Sequence, residues 1–290
     1  MNRFVTLLPG LGLIVPSIVV AQAKPAKLPT VPEVLKPLKG TVRNHFNYQP
    51  GVTLAFTAVD PPTVEQWEAI ESFPVRNMAA SGRGIDDIAL ARLSKLPLEA
   101  LQLEHAVATD AGSAVLQEMT GLKQLILVHS RLTEKSAAAL AKHPALEVFS
   151  DDGRLGAYGM REIATAPRLR RVRLAHGAAN DASVAALAGH PAIEMLYLWP
   201  SNTYGLTDKA IPALATLPEL TDSVLHYTDS LERLKRLPKL KKLTLREVAI
   251  SDDDLARLKA DLPQVAIEYL PMSEVVRKRW DFAAAKRNQP

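Results

Sequence analysis

The 290-residue chain has no cysteine. Disulfides and thiolate chemistry are therefore excluded, as is a lipid anchor on a cysteine near the N-terminus. The familiar catalytic signatures are missing too: there is no H-E-x-x-H, no G-x-S-x-G, no phosphate loop and no G-x-G-x-x-G following a strand. The chain is accordingly read as a non-enzyme without a cofactor. Excess charge is also scarce. The formal net charge is +4, but one positive charge is Arg3 and three more are the surplus of the final segment 271–290. The body between is close to neutral and has no electrostatic footprint for nucleic acid.

The N-terminus, "MNRFVTLLPGLGLIVPSIVVAQAKPAK", places one Arg before an apolar run and then A-Q-A. This is the pattern of a signal peptide cleaved after Ala23. The run is short for a membrane anchor and is interrupted by Pro9, Gly10, Gly12 and Pro16. The expectation is an exported, periplasmic or extracellular protein with no membrane span after cleavage. Residues 24–51 are read as a Pro-rich linker (Pro25, Pro29, Pro32, Pro37) and a lead-in. Residues 271–290 are read as a basic tail.

Between them the chain repeats. Prolines recur at Pro74, Pro97, Pro144, Pro167, Pro191, Pro218, Pro238 and Pro263, mostly 23 to 25 residues apart, with Gly121 standing where one more would fall. An L-x-x-L-x-L pattern follows: "LEALQL" at 98, "LKQLIL" at 122, "LRRVRL" at 169, "IEMLYL" at 193 and "LKKLTL" at 240. Two copies, "LEVFSD" at 146 and "LTDSVL" at 220, are degenerate. Each unit reads as a short strand, a turn, a helix and a proline that ends it. In the last unit Ser251 is the expected N-cap, Asp252, Asp253 and Asp254 suit the helix N-terminus, and Leu255, Leu258 and Leu262 form one apolar face. Two units are irregular, 27 residues at 192–218 and 20 at 219–238, and are expected to distort the stack.

This period and motif resemble leucine-rich repeats. The helix starts "ATDAGSAVL", "NDASVAAL", "LTDKAIPAL" and "ISDDDLARL" are similar to the α-helical types of that family, ribonuclease-inhibitor-like and cysteine-containing. The resemblance covers 52–270 and implies an α/β solenoid, a horseshoe with a parallel concave sheet and convex helices. Such repeats usually carry Asn or Cys three positions after the last Leu of the motif. Here those positions hold Ala106, Ser130, Gly177, Ser201, Thr228 and Val248, so that ladder of side-chain hydrogen bonds is mostly missing. The resemblance implies binding rather than catalysis, with a bacterial protein-interaction scaffold as the first reading and a glycan binder as the alternative.

Numbering the first Leu of the motif as position 1, positions 3, 5, 7 and 8 are expected on the concave face. His105, His129 and His176 fall at position 8 and His226 at position 7. On straight rungs His176 lies two strands, about 10 Å, from His129, and a zinc site needs three or four ligands, so no metal is expected. His143 and His190 precede prolines and read as helix caps. Asp86–Asp87 and Asp252–Asp254 sit at helix starts. Asp151–Asp152 ends a degenerate strand, and the two readings are a pair that faces a ligand and a turn, of which the turn is favoured. Tyr197, Trp199, Tyr204 and Tyr227 fall within 31 residues, although Trp and Tyr total only nine. The predicted partner-binding surface is Arg171, Arg173, His176, Met195, Tyr197, Trp199, His226 and Tyr227. The competing reading is that the long loop buries Trp199 and Tyr204 as packing.

The register makes Leu101, Leu125, Val172, Leu196 and Leu243 equivalent core positions. Truncating any of them to Ala is expected to cost about 2–5 kcal/mol in a urea titration.

Overall fold

A computed structural model describes residues 28–46, 49–141, 143–199, 207–226, 239–248 and 250–271, with single positions 237, 273, 274 and 278. Residues 1–27, most of 272–290, Tyr204 and Tyr227 lie outside the described residues.

Eleven strands form one sheet in chain order. They are β1 (Thr41–Phe46), β2 (Gln49–Thr57), β3 (Asn77–Ser81), β4 (Ala100–Glu104), β5 (Gln124–Val128), β6 (Val148–Asp151), β7 (Arg171–Ala175), β8 (Met195–Trp199), β9 (Asp222–His226), β10 (Lys242–Arg246) and β11 (Ala266–Leu270). β1 runs antiparallel to β2, and every later pairing is parallel. The returning segments carry short helices: α1 (Val64–Glu71), α2 (Asp87–Leu93), α3 (Ala137–Ala141), α4 (Gly156–Ile163), α5 (Asp181–Ala185), α6 (Ile211–Ala215) and α7 (Asp252–Asp261). This is the α/β solenoid architecture that the leucine-rich pattern implies. Among the described residues no helix is long and apolar enough to cross a membrane.

Motif positions 1, 4 and 6 point at the helices and form one buried cluster running from Leu35 to Val265. Leu101, Leu125, Val172, Leu196 and Leu243 are each at most 2% exposed, as the register requires. The degenerate rungs fill the same slots differently. Phe149 occupies position 4 of one and Ser223 position 4 of the other, and both are buried.

Register is held by a repeated backbone device. In the rungs of β4 to β10 the N–H groups of positions 2 and 3 both donate to the position-2 carbonyl of the rung before. Glu99 and Ala100 donate to Arg76, Lys123 and Gln124 to Glu99, Thr221 and Asp222 to Glu194, and Lys241 and Lys242 to Thr221. The device passes through the 27- and 20-residue units unchanged, so their unequal lengths do not shift the strand pairing. Position 2 also alternates in charge: Arg76, Glu99, Lys123, Glu147, Arg170, Glu194. Glu99 lies 3.0 Å from Arg76 and 2.7 Å from Lys123.

The helix starts supply a second ladder that the missing Asn and Cys do not. The Asp that opens one helical segment accepts two bonds from the Thr that opens the next. Asp87 binds Thr109 N–H at 2.6 Å and its hydroxyl at 2.8 Å. Asp181 binds both groups of Thr207 at 2.7 Å. Asp110 binds Thr133 N–H at 2.7 Å and its hydroxyl at 2.6 Å, and also the Ser136 hydroxyl at 2.6 Å. Gly112 leaves room for this ladder, because a Cβ there would sit 2.2 Å from Asp87 Oδ1. Partial burial works against the Asp110 charge, but the bonds from Ser136 and Thr133 prevail and hold its carboxyl below the ordinary range. At the other end of the helices, His143 Nδ1 and His190 Nε2 each lie 3.2 Å from a carbonyl one repeat back, Met119 and Ala166. They are inter-repeat links rather than local caps, and burial lowers the basicity of both. Ser251 caps α7 as expected.

One stretch departs from its compositional reading. Where prolines suggest an extended linker up to residue 40, Glu33–Leu35 forms a 3₁₀ turn and Leu35 and Leu38 enter the core. β1 then pairs with β2 as the cap of the sheet's first edge. Apolar contact, not the prolines, decides this segment.

Two substitutions test these contacts. Asp110→Ala removes three bonds to a carboxylate and should lower unfolding free energy by about 2–3 kcal/mol; an unchanged urea midpoint would show the ladder to be decorative. Asp151 stands at a leucine position, 1% exposed. Burial pushes its carboxyl up to about 6, against backbone N–H groups of Gly153, Leu155 and Asp152 that pull it down, with the Asp152 charge adding to the rise. The native state thus holds this proton more tightly than the unfolded chain. Its stabilising contribution is complete below about pH 4 and is lost as pH climbs through 6, roughly 3 kcal/mol in all. Asp151→Asn should flatten that limb and leave the protein more stable than wild type at pH 7.5 but not at pH 4, measured by urea unfolding at both.

Candidate functional site

Position 8 of each rung is where the strand ends and the chain turns toward the helices. From the rung of β3 to that of β10, every described residue there has positive φ: Gly82, His105, His129, Gly153, His176 and Glu247. For a non-glycine residue this left-handed conformation is uncommon, and His is among the types that tolerate it. The turn is fixed by a bond from the position-8 N–H to the position-7 carbonyl of the next rung. It is seen at Gly82 to Glu104, His105 to Val128 and Glu247 to Leu270. At His129 the pattern changes, because its N–H donates to the carboxylate of Asp152, 2.6 Å away.

These backbones line up the rings. His105 and His129 are 4.8 Å apart between centroids, His129 and His176 5.5 Å, and His176 and Trp199 5.8 Å. The second distance overturns the expectation that His129 and His176 stand about two strand spacings apart. The intervening rung has Gly153 at position 8, and with no side chain between them the two imidazoles converge. Asp152, at position 7 of that rung, sits beside them with its side chain 7% exposed and Oδ2 2.8 Å from His129 Nδ1. His129 itself is 49% exposed. Donor atoms of His129, Asp152 and His176 all lie within 4.8 Å of one another. Burial lowers the basicity of His176; the Asp152 charge opposes this, and His129 and Arg173 reinforce it.

On the adjoining strands Arg173 pairs with Tyr197 and Arg171 with Met195. The Arg173 guanidinium lies 5.5 Å from the Tyr197 ring and 5.9 Å from the Trp199 ring, and it donates to Ser150 at 3.2 Å. Six of the eight predicted residues, Arg171, Arg173, His176, Met195, Tyr197 and Trp199, therefore form one neighbourhood on β7, the turn that follows it and β8. Tyr197 is only 8% exposed, so its expected projection from an open face is corrected: it lies beneath Arg173. His226 ends β9, pairing with Arg246, and Tyr227 is outside the described residues. The face opposite the helices is not open along its whole length either. Phe46 of β1 packs with Ala100 and Ile126 there, and Asn77, Gln124, Val148 and Ser150 are buried. The sequence reading omitted His105, His129 and Asp152 from the surface. Gly153 at a His position was the available signal.

No family model matches the chain, and neither does any curated protein. Among solved structures, the chain is similar to an internalin (inlF) from Listeria monocytogenes str. 4b F2365. The identity is 16% and the TM-score 0.37, over 77% of this chain and 82% of that one.

Proposed function

We propose that this protein is an exported, non-catalytic binding module whose partner is another protein. Residues 52–270 act as one solenoid and present the ends of strands β4 to β8. The observation that carries this reading is the unbroken row of ring contacts from His105 through His129 and His176 to Trp199, with Arg173 stacked behind its last member. Aromatic side chains beside Arg have the composition of interaction hot spots, because they give large rigid contact area at low entropy cost. Export rests on the pattern of the first 23 residues, and the neutral body supports a protein rather than a nucleic acid as partner.

The test is crosslinking capture from envelope extract with wild type and a His105→Asn, Trp199→Ala double variant. Asparagine tolerates the left-handed backbone at 105. The partner captured by wild type should bind the double variant about thirtyfold more weakly at an unchanged melting temperature. Equal capture refutes the surface, and a large fall in melting temperature shows that the row is packing. Retention on a glycan array with no protein captured assigns the same rings to sugar stacking instead.

A further inference from the structure

We infer that His129, Asp152 and His176 form a binding site for a borderline first-row divalent cation, with Zn²⁺ as the best match. The site shares His129 and His176 with the proposed partner surface, but its test needs no partner.

The donor set comes first. Two imidazoles and one carboxylate are the ligands of zinc and its neighbours, whereas Ca²⁺ and Mg²⁺ call for oxygen ligands. The geometry is next. The three donor atoms lie within 4.8 Å of one another, and zinc bonds to nitrogen and oxygen are about 2.0–2.2 Å long. Closing the three onto one ion requires these separations to adjust, and imidazole rings can turn about χ1 and χ2 to do so. One edge is already short: His129 Nδ1 and Asp152 Oδ2 are 2.8 Å apart.

The support around the ligands is rigid where it needs to be. Asp152 is 7% exposed, and its Oδ2 is pinned by the backbone N–H of His129 at 2.6 Å. Both histidines sit on left-handed turns with φ of 48° and 49°, a conformation that few alternatives replace. Gly153, between them, has no side chain to separate the rings. Access is provided by His129, half of whose side chain faces solvent. Three protein ligands leave a coordination position for water or for a donor from a bound molecule, the arrangement of an open rather than a closed zinc site. One charge opposes the ion: Arg173 lies close enough to His176 to be felt there, although its guanidinium is directed over Tyr197 and Trp199.

The test uses the full chain stripped with chelator and titrated with zinc sulfate by calorimetry. One zinc per chain is expected, with a melting temperature that rises with zinc concentration. Cobalt loading should give visible absorption bands that zinc abolishes. His129→Asn, His176→Asn and Asp152→Asn should each weaken zinc binding at least about tenfold, while Asp253→Asn, at an exposed carboxylate on α7, should leave it unchanged. Asparagine keeps the left-handed turns at 129 and 176, and at 152 it keeps a side-chain oxygen to accept from the His129 N–H; circular dichroism of each variant checks the fold. Absence of stoichiometric zinc binding overturns the site, and so does binding that survives both His129→Asn and His176→Asn. None of these readouts involves the captured partner, so failure here leaves the interaction reading standing and the reverse also holds.

Discussion

Every feature of this molecule depends on one constraint: a rung cannot bury its own leucines. A single strand–turn–helix unit of some 24 residues has an apolar face with nothing to cover it except the next unit. Neighbouring strands must then lie about 4.8 Å apart in constant register. The paired donations onto the position-2 carbonyls set that register at the start of strands β4 to β10. The core from Leu35 to Val265 follows from it.

Constant register turns sequence positions into columns. Leucines make the buried column. Alternating Arg, Glu and Lys make the position-2 column, where pairs on the surface add little stability individually but penalise a slipped register. Asp and Thr at the helix starts make a third column. It joins consecutive helical segments by charge-assisted bonds where the short, Ala-rich helices have little side-chain surface of their own. Histidines at the left-handed turn make a fourth.

The candidate site is a fault in that last column. At β6 the rung carries Asp151 in a leucine slot, Asp152 in place of a backbone acceptor and Gly153 in place of a ring. A buried carboxylate, a hydrogen-bonded carboxylate and a gap are all costly or neutral for stacking. Together they draw His129 and His176 into contact across a rung that separates them in the backbone. A repeat built without such a fault would hold its rings at the strand spacing, and no three-donor cluster would exist.

The leucine register, the Ser251 cap, the burial of Leu101 or Leu243 and the stack of strand, turn and helix were determined by the sequence itself. Each depends on periodicity or on residues a few positions apart, and these are local. The Asp–Thr ladder was written there too, in the same helix starts that identify the repeat, but its partners are 22 to 26 residues apart and only the stacked fold joins them. The folding of Leu35 and Leu38 onto the first edge, Tyr197 lying under Arg173, and the approach of His176 to His129 were decided by tertiary structure alone. They depend on how far side chains reach between rungs. A gap left by one glycine changes that reach by several ångströms without altering the repeat that contains it.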